Sequence, residues 1–467
     1  MVSTHSTAAS HASSARRASG ASPAAHAWTD VPAAEVISHL GRHLLVDGYD
    51  FVLDLDASQG SMLVDARTGT PYLDLFTFFA SNALGMNHHA LTTPDMQARL
   101  GRAATHKPSN SDIYTVELAG FVDTFTRVLG DPGLPHLFLV EGGGLAVENA
   151  LKVAFDYKSR HNERSGRDPA LGTRVLHLTG AFHGRTGYTM SLTNTDPNKV
   201  ARFPTFDWPR IDSPALEFPL EVNRTANRAA EERALRQARE AFATHPHDVA
   251  CVIAEPIQSE GGDRHLSPRF LSELQSLAHA NDALFVLDEV QTGVGMTGTP
   301  WAYQQLGLHP DVVAFGKKTH VCGIMAGGRL DDIDDHVFAT SSRINSTFGG
   351  SLVDMVRATV MLEVIERDRL MARAASMGER LLAGLVEIQR RHELVTGARG
   401  RGLMCALDLP DAALRDAVTS RMFTDEHVFL LGCGPRTVRL RPTLTVTEDE
   451  LDSGLAALER TLRTVAG

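Results

Sequence analysis

Through the middle of the chain, short apolar runs alternate with longer stretches that carry their apolar residues on one face. Leu137–Val140, Arg174–Leu178, Ala250–Ala254, Ala283–Leu287 and Val312–Phe315 are the short runs. Each is too brief for a helix and is bounded by polar residues or glycine, which predicts buried strands of a parallel sheet. Between them, a helix from about Ala146 would bury Val147, Leu151 and Ala154. A second, charged at many positions, covers Glu221–Ala243, and a third covers Pro268–Ala280. This alternation from Leu137 to Phe315 predicts an α/β architecture, a mostly parallel sheet covered on both faces. After Lys317 the sequence HVCGIMAGGRL turns back as a further strand.

The flanks differ in pattern. Pro32 to about Leu45 is helical, with apolar positions at Val36, Leu40 and Leu44. Phe51–Leu55 and Ser61–Asp65 are expected strands, Thr68-Gly69 is a turn, and Phe76, Phe78 and Phe79 are expected in the core. Thr105–Asp112, THKPSNSD, is a loop on its turn chemistry. Ser351–His392 contains two long amphipathic helices, and Val395–Leu409, Arg415–Phe423, Val428–Leu431 and Val438–Leu440 alternate strands with a helix. That shift predicts a smaller α+β domain joined in space by the N-terminal segment. The expected division is a disordered tail over 1–30, a small-domain segment over 31–88, a large domain over 89–345 and the rest of the small domain over 346–467. Thr447 and Glu450 form a capping box ahead of the last helix.

Composition narrows the class. A chain of 467 residues can bury a substantial core in more than one domain. Hydrophobic content of 43% and charge of 22% fit a globular enzyme, and a net charge of −11 argues against a general nucleic-acid surface. Cys251, Cys322, Cys405 and Cys433 form no CxxC pair, so neither a metal site nor a disulfide framework is indicated and a cytoplasmic location is expected. No apolar run reaches the ~18 residues that a membrane span requires. Residues 1–29 lack acids, and Arg16-Arg17 is followed by no apolar signal core, which fits a disordered extension, with a transit peptide as the alternative.

Candidate chemistry gathers at strand ends. Asp288 and Glu289 follow Ala283–Leu287, at the edge where open α/β sheets keep their ligand crevices. Val312–Phe315 delivers Gly316 and Lys317 to the same edge. Gly142–Gly144 precede a helix start whose free N–H groups favour a phosphate. Together these residues describe a cofactor held at one end and bonded at the other; an ion pair at a sheet edge is the alternative for Asp288 and Lys317 alone. Arg185 defaults to a surface charge and His183 to a structural group.

DEVQTG followed by DVVAFGKK resembles the signature of the class III (ω-) aminotransferases, fold type I enzymes that use pyridoxal 5′-phosphate (PLP). The resemblance spans roughly residues 31–460. It implies a mostly parallel seven-stranded sheet in the large domain, a smaller α+β domain, and a homodimer with shared sites. It also implies roles. Asp288 would pair with the protonated pyridine nitrogen, Gln291 would face the ring O3′, Phe182 would stack on the ring, and Lys317 would form the imine. Gly142–Gly144 fall where the family often has Ser-Gly followed by Ser or Thr, so one side-chain bond to phosphate is missing, and Gly143 and Gly144 would bind the cofactor through their backbone. Asn345 and Thr347 match the loop that enters the neighbouring subunit's site, Thr347 for the phosphate and Asn345 for a substrate carboxylate. Arg439 matches the arginine that binds the keto-acid carboxylate, with Glu260 facing it, while Arg441 is structural. KPSNSD, HLTGAFHGR, FDWPRID and RPTLTV resemble the L-lysine ε-aminotransferases within that family. There the arginine matching Arg185 grips the distal carboxylate, a task suited to its planar fork. The implied reaction transfers the terminal amine of L-lysine to 2-oxoglutarate, giving 2-aminoadipate 6-semialdehyde and glutamate. Ornithine, 4-aminobutyrate or polyamine donors, an aminomutase, or an inactive binding protein of the same fold are the alternatives.

Overall fold

Leu284–Asp288 lies at the centre of a seven-stranded sheet. Across that sheet the order is His136–Val140, Cys322–Ala326, Val312–Phe315, Leu284–Asp288, Val249–Ala254, Arg174–Leu178 and Arg210–Ile211. Cys322–Ala326 runs antiparallel to both its neighbours, and every other adjacent pair is parallel. The three strands Val249–Ala254, Leu284–Asp288 and Val312–Phe315 are buried at every position. Cover on both faces explains why they are continuously apolar rather than alternating. Each large apolar side chain fully withdrawn from water there contributes about 1.5–3 kcal/mol. The register pairs Ala314 with Asp288, so the chain segments leaving these two strands emerge side by side.

The computed structural model describes residues 30–466; the expected disordered tail therefore lies almost wholly outside the described residues. Two units are distinguished, one ending at Val52 and one beginning at Leu53. In the first, the helix Val36–Leu40 follows a short turn Ala33–Glu35 and stops before Leu45. None of its residues is buried, and an isolated helix without a buried face has little to extend it.

In the second unit, the expected helices appear as Gly143–Arg164, Leu220–Thr244 and Pro268–Ala280. Met62–Val64 and Pro71–Asp74 pair antiparallel, and Val428–Phe429 joins Pro71–Asp74 in parallel. Thr396–Arg401, Met404–Asp408, Thr437–Leu440 and Leu431–Cys433 form a separate four-stranded antiparallel sheet. Phe51–Leu55 is not a strand: only Leu53 bridges to Asp65. Asp54 Oδ1 accepts from the N–H groups of Asp56 and Ala57 and turns the chain there. The last helix has its capping box, with Glu450 Oε2 accepting from Thr447 N at 2.7 Å and Thr447 Oγ1 accepting from Glu450 N at 3.2 Å. No helix among the described residues is long and apolar enough to cross a membrane.

One segment departs from its expected role in the core. Thr77, Phe78, Phe79 and Ala80 all have positive φ, between 48° and 64°, forming a left-handed turn. Such backbone costs roughly 1–2 kcal/mol per residue, so it persists only where it is held. Asp74 Oδ1 accepts from Phe76 N and Thr77 N, Thr77 Oγ1 donates to Arg441 O at 2.7 Å, and Lys318 Nζ donates to Ala80 O. Phe76 is buried as expected, but Phe78 is 36% and Phe79 49% exposed, so neither packs in the core.

Candidate active site

A cavity of about 470 Å³ opens where the central strands end. Gly143, Gly144, Phe182, Arg185, Glu260, Asp288, Gln291, Lys317 and Arg439 line it, together with Phe79, His183 and Glu255. Asn345 and Thr347 do not; both are exposed on a loop outside this chain's own cavity. That loop is anchored by Thr105–Asp112. Asn110 Nδ2 donates to Phe348 O at 3.0 Å and to Gly350 O at 2.9 Å, and Ser111 Oγ donates to Ser346 O.

The wall at Gly143–Gly144 is the first turn of a 22-residue helix with no side-chain cap. Its first N–H groups have no intrahelical acceptor, and the helix dipole adds partial positive charge. Gly142 leads in at φ 104°, a conformation that favours glycine. Gly184 closes the other side at φ 120°, and a Cβ there would stand 2.8 Å from Gly144 Cα. Such a backbone cradle could hold an anion.

Asp288 ends its strand inside the cavity, with Oδ1 accepting from Val290 N at 3.0 Å. His183 Nδ1 donates to Asp288 Oδ2 at 2.8 Å, so the histidine read as structural belongs to the site. Burial opposes a charge on His183, but the hydrogen bond and charge of Asp288, with Glu255, hold its pKa above the ordinary value. The bond fixes Asp288 in orientation. Glu255, behind them, is pushed up to about 8 by burial and the nearby Asp288 charge, against His183 and two backbone N–H bonds. Its Oε1 accepts from Phe182 N at 3.0 Å, which fixes the turn carrying the aromatic ring. Glu289 serves structure instead, accepting from Ala302 N and Tyr303 N.

Adjacent lysines have opposite fates. Lys318 is fully buried, with Nζ donating to Gln291 O at 2.8 Å and to Ala80 O at 3.4 Å. Lys317, at φ 53°, lines the cavity with Nζ 5.8 Å from the centre of the Phe79 ring. Burial and the charge of Arg439 lower its pKa to about 8, although Asp288 and Glu260 oppose the shift. The neutral amine is therefore abundant at lower pH than for a free lysine. Competitive acetylation of the cofactor-free protein, read by mass spectrometry, is expected to show Lys317 reactivity rising through a midpoint near 8 rather than 10.5. A midpoint at the ordinary value would remove this electrostatic account.

Two arginines serve the cavity differently. Arg439 is buried, and its Nη2 donates to Glu260 Oε2 at 3.0 Å. Lys199 Nζ donates to the other oxygen, Glu260 Oε1, at 2.6 Å. Although burial alone would raise the Glu260 pKa, Arg439 and Lys199 outweigh it and keep the carboxylate ionised at lower pH than usual. Arg185 is exposed to the cavity and has no ion pair among the described residues. Arg441 is structural, as expected: it is fully buried against Asp263 and backbone carbonyls. A separate cluster, His136, Asp331 and His336, lies outside this cavity; His136 Nε2 and Asp331 Oδ1 are at direct hydrogen-bond distance, 2.6 Å.

This fold and this cavity define a class. The profile of the family Aminotransferase class-III matches residues 46–462, and the chain belongs to that family. An L-lysine-epsilon aminotransferase of Amycolatopsis lactamdurans is 59% identical over 444 residues, covering 94% of this chain and 98% of that protein. One from Mycobacterium tuberculosis is 59% identical over 428 residues, covering 91% of this chain and 95% of its own length. A solved lysine aminotransferase from M. tuberculosis, in the internal aldimine form, superposes with a TM-score of 0.92 at 58% identity, covering 93% of this chain and all of that one. A mitochondrial 4-aminobutyrate aminotransferase from Mus musculus is 31% identical over 442 residues, covering 89% of this chain and 86% of that protein.

Proposed function

We propose that this class III aminotransferase moves the ε-amine of L-lysine to 2-oxoglutarate, releasing 2-aminoadipate 6-semialdehyde and glutamate. Strong similarity to proteins named for that activity supports the reading. The observation that carries it is the contrast between the arginines. Arg185 is open to a carboxylate, whereas Arg439 is already matched by Glu260. Lysine with its ε-amine at Lys317 would place its α-carboxylate far away, on Arg185. An unmatched Arg439 would attract that carboxylate and present the wrong amine, and Glu260 prevents this. 2-Oxoglutarate, with a carboxylate beside its reacting carbon, displaces Glu260 from Arg439.

The cofactor is PLP, and the donor set of the cavity fits it. The uncapped helix start at Gly143 and Gly144 would hold the phosphate, with Thr347 of the partner subunit. Phe182 would face the ring, Asp288 would hold the proton on the pyridine nitrogen, and Gln291 would meet the ring oxygen. When bound, PLP supplies an electron sink for the carbon that loses its proton. Lys317 would take that proton from the substrate Cε onto its Nζ and give it up again later in the same half-reaction, general acid–base help worth roughly 10²–10⁴ in rate. His183 keeps Asp288 aimed while this happens. Phe79 and Phe182 narrow the cavity against water.

The same reading makes the protein a homodimer with shared sites. In support, Asn345 and Thr347 are exposed on a loop bonded to Asn110 and Ser111, and Ile113, Tyr114 and Val116, a few residues further along the chain from these two, are large apolar groups also left exposed. Asn345 would assist a substrate carboxylate across the interface. The small domain would combine residues 31–88 with 346–467; for the part from Leu53 onward, the pairing of Pro71–Asp74 with Val428–Phe429 supports this. A cytoplasmic location suits the four free, buried cysteines.

A donor series tests the substrate. With 2-oxoglutarate as acceptor, kcat/KM for L-lysine should exceed that for L-ornithine, 4-aminobutyrate and putrescine by about tenfold or more, the scale of one well-placed polar contact. Arg185→Ala should reduce the lysine value and leave putrescine, which has no carboxylate, nearly unchanged. A parent enzyme that prefers ornithine or 4-aminobutyrate would replace the proposed donor.

A further inference from the structure

The Glu260 carboxylate is held by two cations, one on each oxygen, and the two are not equivalent. Arg439 reaches Oε2 at 3.0 Å, and its Nε is buried without a hydrogen-bond partner among the described residues. Lys199 reaches Oε1 at 2.6 Å from the turn Pro197–Lys199, whose start is capped by Asp196. Lys199 has further anchors of its own. Its Nζ also donates to Thr195 Oγ1 at 3.2 Å and stands 5.3 Å from the centre of the Phe182 ring. Its side chain is only 16% exposed. Arg439 is thus the cation that an incoming carboxylate can take, and Lys199 the cation that stays with Glu260.

We propose that Lys199 is a specificity-determining positioning residue that retains Glu260 when a keto-acid carboxylate occupies Arg439. This rests on the two-substrate reading above. Withdrawing an ionised carboxylate from its only partner in a largely buried site is strongly unfavourable. With Lys199 in place, Glu260 exchanges one of two charge-assisted bonds and keeps the other. The acceptor carboxylate then replaces a single bond at Arg439. Lysine does not need that exchange, so Lys199 acts on one substrate and not the other. Its position against Phe182 also keeps the retained carboxylate at the cavity wall.

Rapid-mixing measurements of the separate half-reactions on the dimeric holoenzyme test this. Lys199→Met keeps the apolar stem and removes the charge. The apparent Kd for 2-oxoglutarate should rise by about tenfold or more, the scale of one charge-assisted hydrogen bond. The limiting rate of that half-reaction and the whole lysine half-reaction should change little. Lys199→Arg should restore most of the acceptor affinity. In a Glu260→Ala background, Lys199→Met should have almost no effect on acceptor affinity, because the group it retains is gone. Equal losses in both half-reactions, no rescue by arginine, or an undiminished effect in the Glu260→Ala background each overturn the proposal. The two-substrate reading is judged separately on Glu260→Ala alone, whose lysine half-reaction must be the one that suffers.

Discussion

Lys317→Ala is expected to end multiple-turnover transamination, lowering kcat by ~10⁴-fold or more, since one residue supplies both the covalent anchor and the proton carrier. Some PLP should remain bound, because the anion cradle at Gly143 and Gly144 and the Asp288–His183 pair are untouched by the substitution. The geometry favours one of two adjacent lysines. Lys318 Nζ is committed to Gln291 O and Ala80 O, so it is not free to react, whereas Lys317 faces the cavity. Borohydride reduction of the unaltered holoenzyme followed by peptide mapping should place the pyridoxyl group on Lys317. Label on Lys318, or a Lys317→Ala protein with near-normal turnover, would contradict the assignment.

The second large effect separates the two substrates. Glu260→Ala leaves Arg439 unmatched, so the wrong end of lysine is attracted and the lysine half-reaction should slow by about 10–100-fold, the scale of one charge-assisted contact. The keto-acid half-reaction should be affected less, since its carboxylate meets Arg439 without competition. Arg439→Ala should do the reverse, with the larger loss falling on 2-oxoglutarate. It also leaves Glu260 with Lys199 alone, so a modest loss of stability is expected as well. Stopped-flow spectra with each substrate resolve these effects. Equal losses in both halves for Glu260→Ala would point to a permanent Glu260–Arg439 bridge instead of an exchange.

Much of this site is legible from the chain because strand ends are legible. Leu284–Asp288 and Val312–Phe315 are continuous apolar runs that stop at a charged residue or a glycine, and parallel register then brings Asp288 and Lys317 to one edge. The glycine-rich helix start is visible for the same reason, since its chemistry is local. His183 is harder to see: a single histidine has no periodicity, and only its position beside Phe182, in the turn after the strand Arg174–Leu178, hints at the cavity. Lys199 gives no hint at all, because it comes from an irregular stretch whose path depends on packing. Phe79 fails for another reason. Aromatic residues in an apolar segment default to the core, and only four successive left-handed residues turn this ring towards Lys317. Leu44 and Phe51–Leu55 show the converse limit. Apolar spacing alone specifies neither an extended helix nor a strand.

The account stands on which amine of lysine is transferred. In a reaction of [ε-¹⁵N]-L-lysine with unlabelled 2-oxoglutarate, mass spectrometry of the glutamate formed measures this directly. Heavy nitrogen should appear in essentially all the new glutamate, and [α-¹⁵N]-L-lysine should give glutamate with none. The opposite pattern, label transferred from the α-position, would contradict the placement of the lysine carboxylate on Arg185 and the function built on it.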